Sequence, residues 1–191
     1  MTEKAERCPW AETDPYSLAY HDERWCVPVH EDQELFAMLI LEGLQAGLSW
    51  QLILKREEGI RSLTDNLNPE TIARYTQEDE ERLCKDPRMI RSKAKIHAMV
   101  TNAIAFLCVQ KEWGSFDAYI WHFTDGNVID HRLVHPQDMP AKDALSESVS
   151  TDLKRRGFRF TGPVITYSYL QAIGVINDHL ITCPFHDHPL K

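Results

Sequence analysis

The sequence has no uninterrupted apolar run of about 18 residues, the length that a membrane-spanning helix requires. Its first residues, MTEKAERCPW, lack the apolar stretch that a secretory signal peptide needs. Internal repeats and low-complexity segments are also missing. These absences argue against a membrane-spanning helix and against a repeat protein. For a chain of 191 residues they predict a cytoplasmic protein with one well-buried domain, or two small lobes that share a core.

The cysteines are widely scattered, and acidic residues outnumber basic ones by 29 to 21. Without an export signal, an odd count of five cysteines indicates free thiols or metal ligands instead of a disulfide framework. The net charge of −8 argues mildly against a nucleic-acid partner, because phosphate binding normally needs a basic excess. The charge is uneven, however, and two basic clusters are either solvated helix faces or phosphate-binding surfaces: Arg88, Arg91, Lys93 and Lys95, and Lys154, Arg155, Arg156 and Arg159.

Hydrophobic periodicity predicts an all-α fold, because strand-like alternation is scarce. One helix is predicted to begin with Asp32 as its N-cap and to continue through LEGLQAG. The longest helix is expected over 91–113, with shorter ones over 49–63, 68–76, 77–87 and 115–123. The polar stretch 124–140 is predicted to be a long loop or a short irregular excursion.

Residues 143–174 have the pattern of a helix, a tight hairpin and a second helix. Gly157 suits a left-handed helix end, and Gly162 followed by Pro suits a helix start. Phe158 and Phe160 are predicted to plug the hairpin. In a helix-hairpin-helix, backbone N–H groups and a helix N-terminus face a DNA phosphate. An ordinary helical corner is the alternative, and basic neighbours such as Arg159 favour DNA.

A set of cysteines and histidines near the two chain ends could hold a metal. His179 and Cys183 are four residues apart, so in a helical turn they would point the same way. Cys8 and His21 could complete a tetrahedral site of two thiolates and two imidazoles, a set that suits structural zinc. Rival ligands are present, and unliganded surface histidines are the alternative; the rivals are Cys26, His30, His186 and His188.

Glu42 lies in an apolar context, ILEGLQAGLSW, with Trp50 eight residues later. A buried carboxylate is costly unless it is paired or used, so this one is either functional or half exposed on its helix. Gly47 permits a close backbone approach, and Leu48 could be an apolar wedge. Aromatic rings near the N-terminus could sandwich a flat, cationic base, or could pack in the core: Trp10, Tyr16, Tyr20, Trp25 and Trp50.

Taken together, these segments resemble the 3-methyladenine DNA glycosylase I family, the constitutive bacterial type. The resemblance covers nearly the entire chain in the right order, and LEGLQAGLSW and YHDERW are highly specific. The matching segments are CPW at 8–10, DP at 14–15, AYHDERW at 19–25, LEGLQAGLSW at 41–50, IRSKAKI at 90–96, RGFRFTGP at 156–163 and NDH at 177–179, with Cys183 at the end.

The resemblance implies one helix-hairpin-helix glycosylase domain over 1–191, which excises 3-methyladenine from double-stranded DNA by hydrolysis and releases the free base. It implies a structural Zn²⁺ that joins segments 8–21 and 179–183 through Cys8, His21, His179 and Cys183. Glu42 would accept hydrogen bonds from the flipped base as the catalytic residue, Trp50 would stack on it, and Tyr20 and Trp10 would complete the pocket. DNA contacts would come from Gly47, Leu48, Gly157, Arg159 and Gly162.

Two positions depart from the family pattern, and one Asp needs a role. Ser17 stands where the family often has Tyr, so a pocket ring is either missing or replaced by Tyr16. Cys26 follows Trp25 where Gly is usual, and either competes for zinc or packs. Asp178 is interpreted as structural, orienting His179.

Three other functions compete with this interpretation. A related glycosylase with wider substrates, such as 3-methylguanine, is the alternative within the enzyme class. A non-catalytic helix-hairpin-helix DNA-binding module would leave Glu42 unexplained. A zinc hydrolase would need an open coordination position, whereas four protein ligands would close the site. We expect a monomer that does not associate with membranes.

Overall fold

The computed structural model describes residues 6–187, so the rival ligand His188 lies outside the described residues. In this range no helix is both long and apolar enough to cross a membrane. The prediction of a mostly helical fold is confirmed. The helices are α1 (Pro15–Glu23), α2 (Asp32–Gln45), α3 (Trp50–Leu63), α4 (Pro69–Ile72), α5 (Gln77–Lys85), α6 (Lys93–Trp113), α7 (Phe116–Trp121), α8 (Ala144–Arg155) and α9 (Pro163–Ala172), with 3-10 turns at Pro9–Thr13, Asp65–Leu67, His122–Thr124 and Pro136–Asp138.

Helix α2 forms the centre of the core. Every residue from Leu35 to Leu44 is buried, and the helix contacts α3, α6, α7 and α9. Phe36 of α2 meets Phe106 of α6 edge to face at 5.0 Å, and Phe106 stacks on Phe116 at 4.2 Å. A helix that is apolar on all sides must be enclosed by others, which explains its central position.

The predicted N-cap role of Asp32 is wrong. Glu31 is the N-cap of α2, and Asp32 is its first helical residue. The Asp32 carboxylate instead accepts hydrogen bonds from the backbone N–H groups of Phe116 and Asp117, both at 2.8 Å, and from Gln110 at 2.6 Å. It therefore satisfies the free N–H groups at the start of α7. The local pattern could not reveal this contact, because the two helices are far apart in sequence.

Segment 124–140 is mostly irregular, as predicted, but it contains a strand. Strand β1 (Ile129–Asp130) pairs in parallel with β2 (Ile176–Asn177), with Ile129 opposite Ile176. Two residues are too few to produce visible alternation in the sequence. The pair attaches the loop to the segment that follows α9.

Helices α8 and α9 are joined by a tight connection over 156–162. Gly157 adopts a left-handed φ of +98°, and Gly162 is the N-cap of α9. Phe158 is buried, as predicted for a plug, whereas Phe160 is 37% exposed, with a φ of +54°. The prediction for Phe160 is therefore wrong: its left-handed backbone turns the side chain away from the hairpin interior.

Buried Asn102 of α6 holds this connection in place. Its amide nitrogen donates to the Arg159 carbonyl at 3.0 Å, and its amide oxygen accepts from the Arg159 N–H at 2.7 Å. One side chain thus satisfies both backbone groups of a loop residue.

We expect Asn102→Ala to destabilise the protein by about 2–3 kcal/mol, because the substitution leaves two backbone groups without partners in a part-buried position. Urea unfolding measures the loss. The exposed Asn127, which donates only to nearby loop carbonyls, is the matched control, and Asn127→Ala should cost less than about 0.5 kcal/mol. Equal losses in the two variants would contradict the role of Asn102.

Candidate functional site

Four predicted ligands converge where the two ends of the described chain meet. Cys8, His21, His179 and Cys183 are all buried, and their ligand atoms lie within 4.8 Å of one another. Sγ of Cys183 is 3.6 Å from Nε2 of His21 and 3.6 Å from Nδ1 of His179. Sγ of Cys8 is 3.8 Å from Nδ1 of His179. His179 and Cys183 lie outside any helix, so the predicted helical turn is wrong although their convergence is not.

The outer nitrogens of both imidazole rings have partners that fix the ring orientation. Nδ1 of His21 is 2.8 Å from Asp22, which also accepts from Arg7 at 2.9 Å. Nε2 of His179 is 3.2 Å from the carbonyl of Trp25. Each ring therefore directs its other nitrogen toward the sulfurs, an arrangement that metal-binding histidines commonly have.

The two thiols of the cluster have opposite acidities. The pKa of Cys183 is lowered by the hydrogen bond between Cys183 and Cys8, and hydrogen bonds with His179 and His21 lower it further. The pKa of Cys8 is raised, by the hydrogen bond with Cys183 and by burial. Thiolate character, which metal binding requires, is thus favoured at Cys183 even without a cation.

The rival ligands contact other residues and do not join the cluster. His30 pairs with Asp117 at 2.7 Å and stacks on Trp121. His186 contacts Asp187 at 2.7 Å. Cys26 is buried with a left-handed φ of 60°, a backbone conformation that glycine adopts without strain, and its sulfur accepts from the N–H of Asp178 at 3.4 Å. None of the three belongs to the four-residue cluster within the described residues.

An open cleft of about 200 Å³ lies beside this cluster. The predicted base-binding residues Trp10, Tyr20, Glu42 and Trp50 all line it. Sequence reasoning missed further lining residues. Of these, Ser168 and Gln171 are three apart on α9 and share a helix face, a signal that could have found them. The other missed residues are Gln45 and Met139, whereas Trp25, one of the aromatic rings expected from the sequence, also lines the cleft.

Aromatic rings form one wall of the cleft. Tyr20 and Trp50 meet at 5.3 Å with their planes 63° apart, and Trp10 meets Trp25 at 4.8 Å and 84°. Trp10 and Tyr20 are 6.3 Å apart. These tilted contacts hold the rings firmly, and they provide a surface suited to a flat, electron-poor ring.

Two buried polar atoms of the cleft have no partner among the described residues: Oε2 of Glu42 and Nε1 of Trp50. Glu42 is only 2% exposed, and burial raises its pKa from 4.5 to about 8. Unsatisfied buried polar groups are rare in proteins. An acceptor and a donor left free in an aromatic cleft indicate a ligand that carries complementary hydrogen-bonding groups.

The predicted orientation of His179 by Asp178 is wrong. The fully buried Asp178 carboxylate instead contacts Nδ1 of His131 at 2.7 Å, the Tyr167 hydroxyl at 2.5 Å and the Gln171 amide nitrogen at 2.7 Å. Adjacent residues in an extended segment point to opposite sides, which separates Asp178 from the ring of His179.

The predicted loop residues Gly47 and Leu48 lie at an exposed tip between α2 and α3. Gly47 has a φ of +74°, and Leu48 is 38% exposed. Nζ of Lys95 donates to the carbonyls of Leu44 at 2.7 Å and Ala46 at 2.6 Å, which ties the loop to α6. The loop is therefore held to α6 through the carbonyls of Leu44 and Ala46, whereas Gly47 and Leu48 are exposed to solvent.

The two basic clusters divide into bound and unbound cations. Arg88 pairs with Asp86 at 2.7 Å, Arg156 pairs with Glu112 at 2.7 Å, and Arg155 pairs with Asp152. Lys95 is used at the loop. The remaining members of the two clusters, Arg91, Lys93, Lys154 and Arg159, have no ion pair among residues 6–187.

Tyr16 does not replace the pocket ring that the family resemblance led us to expect at position 17. Ser17 is buried, and its hydroxyl donates to Asp14 at 2.6 Å. Tyr16 is 50% exposed with Lys55 above its ring, and it does not line the cleft. Neither Ser17 nor Tyr16 therefore adds an aromatic ring to the cleft.

Comparisons with known proteins agree over nearly the whole chain. The family model described as methyladenine glycosylase matches residues 10–187. DNA-3-methyladenine glycosylase 1 of Escherichia coli (strain K12) is 39% identical over 178 residues, covering 93% of this chain and 95% of that protein. The DNA-3-methyladenine glycosylase of Haemophilus influenzae (strain ATCC 51907 / DSM 11121 / KW20 / Rd) is 36% identical over 178 residues, covering 93% and 96%.

Solved structures match equally well. The 3-methyladenine DNA glycosylase I from Staphylococcus aureus has a TM-score of 0.90 at 36% identity, covering 93% of this chain and 94% of that chain. Another 3-methyladenine DNA glycosylase I, solved in complex with 3-methyladenine, has a TM-score of 0.90 at 35% identity, covering 93% and 95%.

We expect Glu42→Gln to stabilise the ligand-free protein increasingly as the pH rises from 5 to 9. The pKa of Glu42 is about 8 in the folded chain, against 4.5 as its ordinary value. The unfolded chain therefore releases a proton that the folded chain keeps, and wild-type stability falls across this interval. The difference between variant and wild type should grow by about 2–5 kcal/mol.

Urea unfolding of both proteins at each pH measures this difference. Effects of pH on the cysteine and histidine cluster are common to both proteins and cancel in the comparison. A difference that stays constant with pH would show that Glu42 is ionised in the folded chain throughout.

Proposed function

Because the chain belongs to the methyladenine glycosylase family, we propose that it is a DNA repair enzyme that excises 3-methyladenine from alkylated DNA. It is a monofunctional glycosylase, a hydrolase of N-glycosyl bonds. The observation that carries this conclusion is the pair of unpartnered buried atoms, Oε2 of Glu42 and Nε1 of Trp50, in a cleft walled by aromatic rings.

Recognition of the damaged base uses its charge and its hydrogen-bonding edge. Methylation at N3 makes the purine cationic, and a cationic ring is attracted to aromatic faces such as those of Tyr20 and Trp50. The flipped base donates from its exocyclic amine to Glu42. Its positive charge also favours the ionised form of Glu42, so the carboxylate that is costly in the empty cleft gains a partner when the base enters.

Hydrolysis needs little acid assistance. When the bond between C1′ and N9 breaks, its electron pair neutralises the positive purine, which leaves as free 3-methyladenine. Water adds to C1′ and loses a proton, leaving an abasic sugar. Glu42, as the catalytic residue, holds the base and offers negative charge near the developing oxocarbenium ion. No lysine is among the described residues that line the cleft, so the cleft offers no amine for a Schiff base.

The DNA would be held on both sides of the cleft. Exposed Leu48, on the turn made by Gly47, fills the gap that the flipped base leaves. Residues 143–174 act as the helix-hairpin-helix, with the start of α9 and the backbone N–H groups of Phe160, Thr161 and Gly162, which have no partner among the described residues, directed at a phosphate. Arg159, which is exposed and has no ion pair among the described residues, adds a positive charge beside them.

The cluster of Cys8, His21, His179 and Cys183 would hold a structural Zn²⁺. A tetrahedral zinc with bonds of about 2.3 Å to sulfur and about 2.0–2.1 Å to nitrogen sets sulfur and nitrogen about 3.6 Å apart. The observed distances between sulfur and nitrogen are 3.6, 3.6 and 3.8 Å. Four protein ligands leave no open position, so these residues would join segments 8–21 and 179–183 through the ion and would leave it no site at which to activate water.

The function is tested by incubating the protein with methylated double-stranded DNA and identifying the released bases by chromatography. Wild-type protein should release 3-methyladenine. Glu42→Gln should lower the release rate by at least about 100-fold, because the variant loses the negative charge, whereas DNA binding in a gel-shift assay should change less than about threefold. Release at the wild-type rate would refute the role of Glu42, and release of 7-methylguanine alone would refute the substrate.

Zinc is tested by metal analysis of the purified protein. One Zn²⁺ per chain is expected, and His179→Ala should abolish it and lower the melting temperature by more than about 10 °C. His30→Ala is the matched control, because His30 lies outside the cluster, and it should retain the metal. Full metal content in the His179 variant would contradict the proposed ligands.

A further inference from the structure

Gln171 is a buried polar side chain of the cleft whose amide has only one possible orientation. It is 6% exposed and lines the cleft from α9. Its amide nitrogen donates to the Asp178 carboxylate at 2.7 Å. Because a carboxylate only accepts hydrogen bonds, the NH₂ group must face Asp178. The carbonyl oxygen is then the polar atom that Gln171 has left to offer a ligand.

The acceptor character of Asp178 is enforced by its other partners. The Tyr167 hydroxyl donates to the oxygen that also binds Gln171, at 2.5 Å, and Nδ1 of His131 lies 2.7 Å from the second oxygen. The rings of Tyr167 and His131 are nearly parallel, 2° apart. Asp178 itself does not line the cleft. It is therefore a positioning residue that fixes which end of the Gln171 amide the cleft contains.

We propose that Gln171 determines base specificity: its side-chain carbonyl, oriented by Asp178, accepts a hydrogen bond from the exocyclic amine of the flipped base. This inference rests on the proposed function. The amine of adenine has two hydrogens, so Glu42 and Gln171 can each accept one. A purine with an oxygen at this position has no hydrogen to donate there, and its oxygen would face the acceptor oxygens of Glu42 and Gln171. The pair thus favours 6-amino over 6-oxo purines, which is adenine over guanine damage.

The test compares release of 3-methyladenine and 3-methylguanine from methylated DNA. Gln171→Met keeps the length of the side chain and removes its polar atoms. We expect it to lower kcat/KM for 3-methyladenine about tenfold, because one hydrogen bond to the base is lost. The kcat/KM for 3-methylguanine should fall less or rise, so the ratio of the kcat/KM values for 3-methyladenine and 3-methylguanine should decrease. An unchanged preference overturns the role of Gln171.

Gln110→Met is the matched control. Gln110 donates to the Asp32 carboxylate at 2.6 Å, so the substitution removes the same kind of hydrogen bond away from the cleft. It should leave the preference between the two bases at the wild-type value. If it narrows the preference as much as Gln171→Met does, the effect is a general loss of packing, and the proposal is wrong.

Wild-type protein gives a second test that does not depend on the folding of a variant. Tryptophan fluorescence measures binding of free 3-methyladenine and of its derivative methylated on the exocyclic amine. The derivative has one N–H instead of two, so it should bind at least about tenfold more weakly. Equal binding overturns the proposal. Failure of wild-type protein to release 3-methyladenine would instead defeat the proposed function itself, so the two failures are distinguishable.

Discussion

An unpaired, buried carboxyl group in the last turn of an apolar helix is the constraint around which the protein is built. Glu42 lies on α2, whose residues from Leu35 to Leu44 are all buried. Such a group opposes folding unless the surrounding contacts outweigh its desolvation. Four helices pack around α2, and Lys95 satisfies the carbonyls at its end. The cleft thus holds the buried Glu42 side chain in a fixed position, which is the preorganisation that the proposed recognition of a flipped cation requires.

The aromatic wall and the cysteine and histidine cluster form one continuous structure. His21 contacts Trp10 at 5.4 Å, and both His21 and His179 contact Trp25, at 5.8 and 4.6 Å. Rings that line the cleft on one side therefore pack against candidate metal ligands on the other. The cluster, where the two ends of the described chain meet, therefore also positions the rings of Trp10 and Trp25, although the cluster itself does not line the cleft.

Features carried by local patterns were predictable from the sequence. The mostly helical fold followed from periodicity, and Gly157 and Gly162 marked the connection between α8 and α9 because each meets a local backbone requirement. Glu42 and Trp50 stood out because a carboxylate among leucines is unusual. The partners of Asp32 and Asp178 could not be predicted, since they come from segments distant in sequence. The prediction for Phe160 was wrong because an alternating pattern of apolar and polar residues does not reveal a left-handed backbone conformation.

Intramolecular pairing of the basic residues limits how strongly the protein can hold a polyanion. Much of each basic cluster is bound to carboxylates or carbonyls, and the whole chain has a net charge of −8. The number of neutralised phosphates sets both nonspecific affinity and its dependence on salt. Because half of each cluster is paired within the chain, we expect the proposed glycosylase to leave undamaged duplex quickly and to inspect DNA by many brief encounters. Long occupancy is then expected only at sites where the cleft has captured a base.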